Sequence, residues 1–209
     1  MTAVQDARPQ YLTALDQLEK LFATITPADL DRPTPCTEFT LRQLLNHVVG
    51  GIHRFAYMGE GGRAEDVVAA VEDPSDEGWP AALGRARARV TAAWADDAKL
   101  GRPTVAPWGE VPGAAAVAGY LMELVTHSGD IAGSLGNGFA LDDDLARTAL
   151  AVAEFVLPAE QRVPGVPFAA VRPVAEDADV HTRLAAWMVS WNMCASWVTM
   201  PTVSCSEAR

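Results

Sequence analysis

Glu123 and His127 are the residues whose types and spacing most clearly indicate chemistry. They lie four positions apart, and apart from this pair no charged side chain or histidine occurs between positions 114 and 129. On a helix, side chains at i and i+4 are neighbours on one face, roughly 6 Å apart. Such a pair can offer an oxygen and a nitrogen to one metal ion. A charge in an apolar helix must be paired or coordinated, so the spacing predicts a metal site.

A metal held by this pair needs at least one further protein ligand. His47 is the best choice because it flanks the apolar face of the second predicted helix. His53 points away from His47, and His181 follows a proline-rich loop late in the chain. Two histidines and one carboxylate with an open position are typical of catalytic zinc, and nickel or ferrous iron would also suit these donors. The alternatives are a buried Glu–His hydrogen bond, or a histidine paired with Asp130, without a metal.

Asp130, Arg85 and Arg87 are candidates for supporting roles. Asp130 follows His127 by three residues. It either accepts a hydrogen bond from a ligating histidine, which orients the ring, or fixes a neighbouring backbone group. Arg85 and Arg87 belong, with Arg89, to the one cationic cluster of the chain. A solvated helix face is the simplest interpretation of that cluster, and an anion contact for an acidic substrate is the alternative.

Helical segments separated by turns position these residues. Apolar residues recur at helical spacing in 6–25, 37–58, 79–98, 113–135, 141–157 and 179–197. Three prolines exclude a helix over residues 101–112. Gly50 and Gly51 lie inside the second helix, which suggests close approach by another helix or a ligand, with simple tolerance as the alternative. The pattern predicts an all-α fold, in which four substantial helices form a bundle and a helical addition follows.

Composition narrows the classes of partner. The 209 residues carry a formal net charge of −11 and no basic stripe, which argues against nucleic acid binding. No apolar run approaches the roughly 18 residues that span a bilayer. The N-terminus lacks the features of a secretory signal, so we expect a cytoplasmic protein with no membrane partner. The odd number and irregular spacing of the cysteines argue against a disulfide framework, and Cys36 is interpreted as a packed thiol.

Three motifs together resemble the DinB/YfiT-like superfamily. They are residues 34–51 (TPCTEFTLRQLLNHVVGG), residues 107–113 (PWGEVPG) and residues 123–136 (ELVTHSGDIAGSLG). Within the superfamily the match is to the actinobacterial branch that includes mycothiol-dependent maleylpyruvate isomerase, and residues 168–187 are similar to its C-terminal segment. One departure is visible, because Ser128-Gly129 stands where family members often have Gly-Trp. The resemblance covers roughly residues 8–190.

The resemblance implies an up-down-down-up four-helix bundle over residues 1–160, with residues 161–209 as a helical extension packed on it. It also implies that His47, Glu123 and His127 hold the metal. The function that follows is a zinc-dependent enzyme that activates the thiol mycothiol for isomerisation or S-transfer to an electrophilic small molecule. The alternatives are a hydrolase that uses metal-bound water, and a non-catalytic metal-binding or regulatory module. Either a monomer or a homodimer is compatible with the sequence.

Overall fold

The fold is mostly helical, as the sequence predicts, and also contains one small hairpin. The computed structural model describes residues 6–36, 39–71, 74–162 and 168–189. Its α-helices are α1 (Arg8–Phe22), α2 (Leu41–Gly59), α3 (Trp79–Ala93), α4 (Gly113–Leu135), α5 (Asp143–Val156) and α6 (Val180–Trp187). The predicted continuation of the last helix to position 197, with Trp191, lies partly outside the described residues. The predicted helices all exist, and most are shorter by a few residues at their ends.

Helix α4 lies at the centre of the molecule. It is apolar on almost every side, which is the pattern of a helix buried all round, and its buried residues run from Gly113 to Leu135. It contacts α1, α2, α5, α6 and the hairpin. Helices α1 and α2 each pack against both α3 and α4, so these four helices enclose one core. The side chains of Glu123 and His127 therefore project into the interior of the protein.

The start of α2 is fixed by a reciprocal cap. The Thr40 side chain accepts a hydrogen bond from the Gln43 backbone nitrogen, and the Gln43 side chain accepts one from the Thr40 backbone nitrogen at 2.8 Å. Such a capping box satisfies two backbone donors that the first helical turn leaves without partners. Thr40 is therefore the residue that caps the start of the helix carrying His47.

A short antiparallel hairpin occupies the proline-rich connection before α4. Strand β1 (Pro103–Ala106) pairs with β2 (Gly109–Pro112), and Pro107 and Trp108 form the turn. The sequence correctly excluded a helix here but did not predict the strands. The Trp108 ring lies over Gly119 and 5.6 Å from the Tyr120 ring. The hairpin is thereby packed on α4 about one turn before Glu123.

The segment 67–71 is fixed along one stripe of α2. Asn46 donates its side-chain amide to the Val71 carbonyl at 2.7 Å and accepts from the Val71 backbone nitrogen at 3.3 Å. Two turns later, Arg54 Nε donates to the Val67 carbonyl at 3.0 Å. Gly50 lies between them, and a Cβ there would overlap the backbone of Ala70. The predicted close approach at Gly50 is confirmed, but a loop makes it, not a helix.

Substitution of Gly50 by alanine is expected to destabilise the fold. The new methyl group would meet backbone atoms, which move less readily than a side chain, so we expect the free energy of unfolding to fall by about 1–3 kcal/mol. Gly84 in α3 is a matched control because a Cβ there meets nothing within 4 Å. Gly84→Ala should raise the free energy of unfolding by about 0.5–1 kcal/mol. Urea denaturation of both variants measures the difference. An unchanged free energy of unfolding in Gly50→Ala would contradict the close contact.

Two sequence-based expectations concern the chain as a whole. Cys36 is disulfide-bonded, so its interpretation as a packed free thiol is wrong; the other two cysteines lie outside the described residues. Within the described ranges, no helix combines the length and the hydropathy needed to cross a membrane.

Candidate metal centre

His47, Glu123 and His127 converge between α2 and α4. Each offers one donor atom, and the three donor atoms all lie within 4.8 Å of one another. His47 Nε2 is 3.3 Å from Glu123 Oε1. The two imidazole rings are 5.1 Å apart and nearly perpendicular, at 88°. The i, i+4 spacing on α4 and the apolar face of α2 together create this arrangement.

The site is almost closed to solvent. His47 and His127 are each 2% exposed, and the Glu123 side chain is 17% exposed. Phe39 covers His47, with ring centres 5.9 Å apart. Ordinary buried polar groups find hydrogen-bond partners. Both ring nitrogens of His47 nevertheless lack one among the described residues, because the 3.3 Å contact with Glu123 does not have hydrogen-bond geometry. An unpartnered buried imidazole beside a carboxylate fits the residues to a metal ion.

The pKa shifts favour a metal-binding state at His47 and Glu123. Burial lowers the pKa of His47, which keeps the ring neutral and able to donate a lone pair. Burial alone would raise the pKa of Glu123. The neighbouring histidines and the buried cation Arg54 outweigh burial and lower this pKa, so Glu123 is a carboxylate at neutral pH.

Asp130 holds the second histidine from its outer side. Its carboxylate lies 3.0 Å from His127 Nδ1, and this contact directs the other ring nitrogen of His127 away from Asp130. Burial lowers the pKa of His127, but the bond to Asp130 outweighs burial and raises it. Of the two roles considered for Asp130, the structure shows the contact with the histidine.

Gly51 and Ser128 are small residues beside the candidate ligands. A Cβ at Gly51 would lie 3.6 Å from Glu123 Oε1, so glycine keeps the space beside this carboxylate free. The Ser128 hydroxyl donates to the Leu124 carbonyl at 2.8 Å within α4. A Cβ at Gly129 would meet nothing within 4 Å, so the space beside this position is open.

The remaining sequence candidates lie elsewhere. His53 is half-buried on α2 and belongs to no metal-ligand group found among the described residues. His181 Nε2 contacts Asp143 at 3.3 Å, at the junction of α5 and α6. The Arg87 guanidinium forms ion pairs with Asp16 and Glu19 of α1. Neither Arg87 nor Arg85 lines the recess beside the ligands, so the structure gives no support to their assignment to a substrate anion.

Sequence reasoning missed three residues around the site. Tyr11 and Tyr120 both line the recess beside Glu123. Burial raises the pKa of each tyrosine, and the charge of Glu123 raises it further. Arg54 is 5% exposed and lies close enough to Tyr120 and Glu123 for its charge to act on both. The signal was their helical phase. Tyr11 precedes Leu15 by four residues, Tyr120 precedes Glu123 by three, and Arg54 follows His47 by two turns.

Fold and site define a mostly helical protein in which two buried imidazoles and one half-buried carboxylate converge. The chain belongs to the mycothiol maleylpyruvate isomerase N-terminal domain family, whose model matches residues 11–132. This match confirms the resemblance seen in the motifs. Two curated relatives from Mycobacterium tuberculosis, Uncharacterized protein Rv0738 of strain H37Rv and Uncharacterized protein MT0763 of strain CDC 1551, are each 30% identical over 84% of this chain and 92% of their own length. No solved structure matches the chain significantly.

Proposed function

We propose that this protein binds a zinc ion through His47, Glu123 and His127 and activates a low-molecular-weight thiol, mycothiol, toward an electrophilic small molecule. The observation that carries the proposal is the convergence of three donor atoms, from two buried histidines and the half-buried Glu123, within 4.8 Å of one another. Membership of a family described by mycothiol and an isomerase supports the choice of thiol. Isomerisation and S-transfer are the two reactions that such a thiol adduct would serve.

The ligands and their neighbours have distinct roles in this proposal. His47 contributes a neutral imidazole, and Glu123 contributes the one negative charge among the ligands. Asp130 orients His127, as carboxylates commonly do for metal-binding histidines. A bound zinc ion would promote the loss of the proton from a coordinated thiol at neutral pH. Nickel or ferrous iron would suit the same donors.

The wider organisation belongs to the same proposal. Helices α1–α4 would form an up-down-down-up bundle within residues 1–160, and residues 161–209 would extend it. The contacts of α1 and α2 with both α3 and α4 support that arrangement. The partners would be the thiol and the electrophile, without nucleic acid or membrane, in a cytoplasmic monomer or homodimer.

A metal-dependent hydrolase is the second candidate. The recess beside Glu123 and His127 has a volume of about 10 Å³, close to the minimum that holds one water molecule. A water in that recess would suit hydrolysis at a bound metal. A thiol sulfur is larger than water and would require the recess walls to move.

Metal analysis and thermal unfolding test the proposal. Purified protein should contain about one equivalent of zinc, and zinc at 100 times its Kd should raise Tm by roughly 5–10 °C for a chain of this size. Mycothiol should raise Tm further in zinc-loaded protein only. His47→Ala should remove both effects, whereas His181→Ala, the matched control, should keep them.

Four outcomes would count against the proposal. Stoichiometric zinc that survives His47→Ala would exclude the assigned ligands. No stabilisation of zinc-loaded protein by mycothiol would exclude the thiol. An esterase or amidase activity that needs no thiol and is lost on chelation would favour the hydrolase, and metal binding without any activity would favour a regulatory module.

A further inference from the structure

A second, larger cavity lies near the metal centre. It has a volume of about 410 Å³ and opens between the start of α1 and the end of α3. Its walls are mainly apolar and include three aromatic rings, from Tyr11, Phe55 and Trp94. Its size falls in the range of small-molecule sites, which are mostly apolar with a few polar groups.

The aromatic rings of this cavity form one packed cluster, in which Phe55 stacks on Trp94 and meets Tyr11 edge-on. Phe55 lies 4.7 Å from the Trp94 ring and 5.2 Å from the Tyr11 ring. The Trp94 indole nitrogen donates to the Phe55 carbonyl at 2.9 Å. The ring faces and edges on these walls therefore have fixed positions, which suits a flat aromatic ligand.

The charges at the rim of the cavity are already paired. Arg8 forms ion pairs with Asp6 and Asp97, and also donates to the Trp94 carbonyl at 2.9 Å. One cation faces two carboxylates there. Of the described residues that line the cavity, Arg8 is the one cation, and it is engaged in these contacts. An anionic ligand would therefore meet net negative charge at the rim and no available counter-ion.

Tyr11 separates this cavity from the metal centre. It lines the 410 Å³ cavity on one side and the recess beside Glu123 and His127 on the other. The recess, at about 10 Å³, holds a single small group at most. Any larger part of a reacting molecule must lie outside it, and the cavity behind Tyr11 is adjacent.

We propose that this cavity binds the electrophilic substrate and that the substrate is an uncharged, aromatic molecule. That the bound molecule is a substrate rests on the proposed function. Its chemical class rests on the ring-lined walls and the paired charges at the rim. Tyr11 is the wall that such a molecule contacts next to the metal ligands.

Binding of two matched fluorescent probes tests the ligand class. N-phenyl-1-naphthylamine is neutral, and 1-anilinonaphthalene-8-sulfonate has the same ring framework with one negative charge. We expect the neutral probe to bind at least about tenfold more tightly, since the anion gains no counter-ion on leaving water. Trp94 is one of six tryptophans and lines the cavity, so a Trp94→Phe variant should lose part of the tryptophan-to-probe energy transfer.

Variants of the cavity wall test the location. Leu12 and Thr91 line the cavity from α1 and α3. Leu12→Trp and Thr91→Trp should each weaken the neutral probe at least about tenfold by filling the space. Thr13→Trp adds the same side chain to an exposed neighbouring position on α1 and should leave binding unchanged. Circular dichroism of each variant verifies folding.

The outcomes separate this inference from the proposed function. Equal or tighter binding of the anionic probe would overturn the ligand class, and unchanged affinity in both tryptophan variants would overturn the location. Either result leaves the zinc and mycothiol measurements as they stand. Selective binding of the neutral probe by protein that takes up no zinc would retain the cavity as a site for uncharged aromatic ligands and overturn the proposed function.

Discussion

Glu123→Gln is expected to lose most of the protein's affinity for zinc. The substitution keeps the size of the side chain and removes the one anionic donor of the three. Loss of an outer partner typically weakens a metal site 10–100-fold, so loss of a direct ligand should weaken it by more than about 100-fold. Isothermal titration with zinc, or competition with a chelator of known affinity, measures the change.

The metal-free Glu123→Gln protein should remain folded. Removing a buried charge relieves its desolvation but also ends its attraction to Arg54 and the histidines. The lowered pKa of Glu123 shows that the attraction is the larger of the two effects. We therefore expect the free energy of unfolding without metal to fall, by no more than the roughly 3–5 kcal/mol that breaking a buried ion pair costs. Zinc should then raise the Tm of the unchanged protein and not that of the variant. A variant with undiminished zinc affinity would show that the two histidines bind metal without the carboxylate.

Asp130→Asn is expected to cause a 10–100-fold loss of zinc affinity. The carboxylate lies 3.0 Å from His127 Nδ1, and its charge makes the imidazole a stronger donor. Asparagine keeps the shape, but it lacks the charge and can offer either an oxygen or an NH₂ group to the ring. Zinc titration of the variant gives the size of the effect.

Asp143→Asn is the matched control for this substitution. Asp143 also contacts a histidine, His181, at 3.3 Å, but that pair lies away from the ligands. Zinc affinity should not change in this control. An equal loss in both variants would point to a general effect of charge, and no loss in Asp130→Asn would exclude an orienting role.

The convergence of the three candidate ligands could be predicted from the sequence because it depends on helical phase. Glu123 and His127 share one face of α4 by spacing alone, and His47 flanks the apolar face of α2. Both helices are long and strongly periodic, so their phases were well determined. The structure then brings the three side chains together where the sequence had predicted.

Other features depend on contacts between distant segments and could not be predicted in this way. Arg87 lies on the exposed side of α3 by spacing, yet Asp16 and Glu19 of α1 bind its guanidinium. The strands β1 and β2 have four residues each. An apolar–polar alternation over four residues is too short to predict a strand in a segment that also contains prolines. Tyr11 had the phase of the α1 core, but its position between two cavities follows only from the packing of α1 on α4.

The tie between α2 and segment 67–71 has a consequence for how the metal would be received. Asn46, Gly50 and Arg54 fix one side of the helix through that segment. His47 follows Asn46 directly, so its direction is set once those bonds form. The conformational entropy of this side chain is then lost during folding and not during metal binding. A metal ion would bind a preorganised site, and its affinity would depend on the donor atoms and little on rearrangement of the chain.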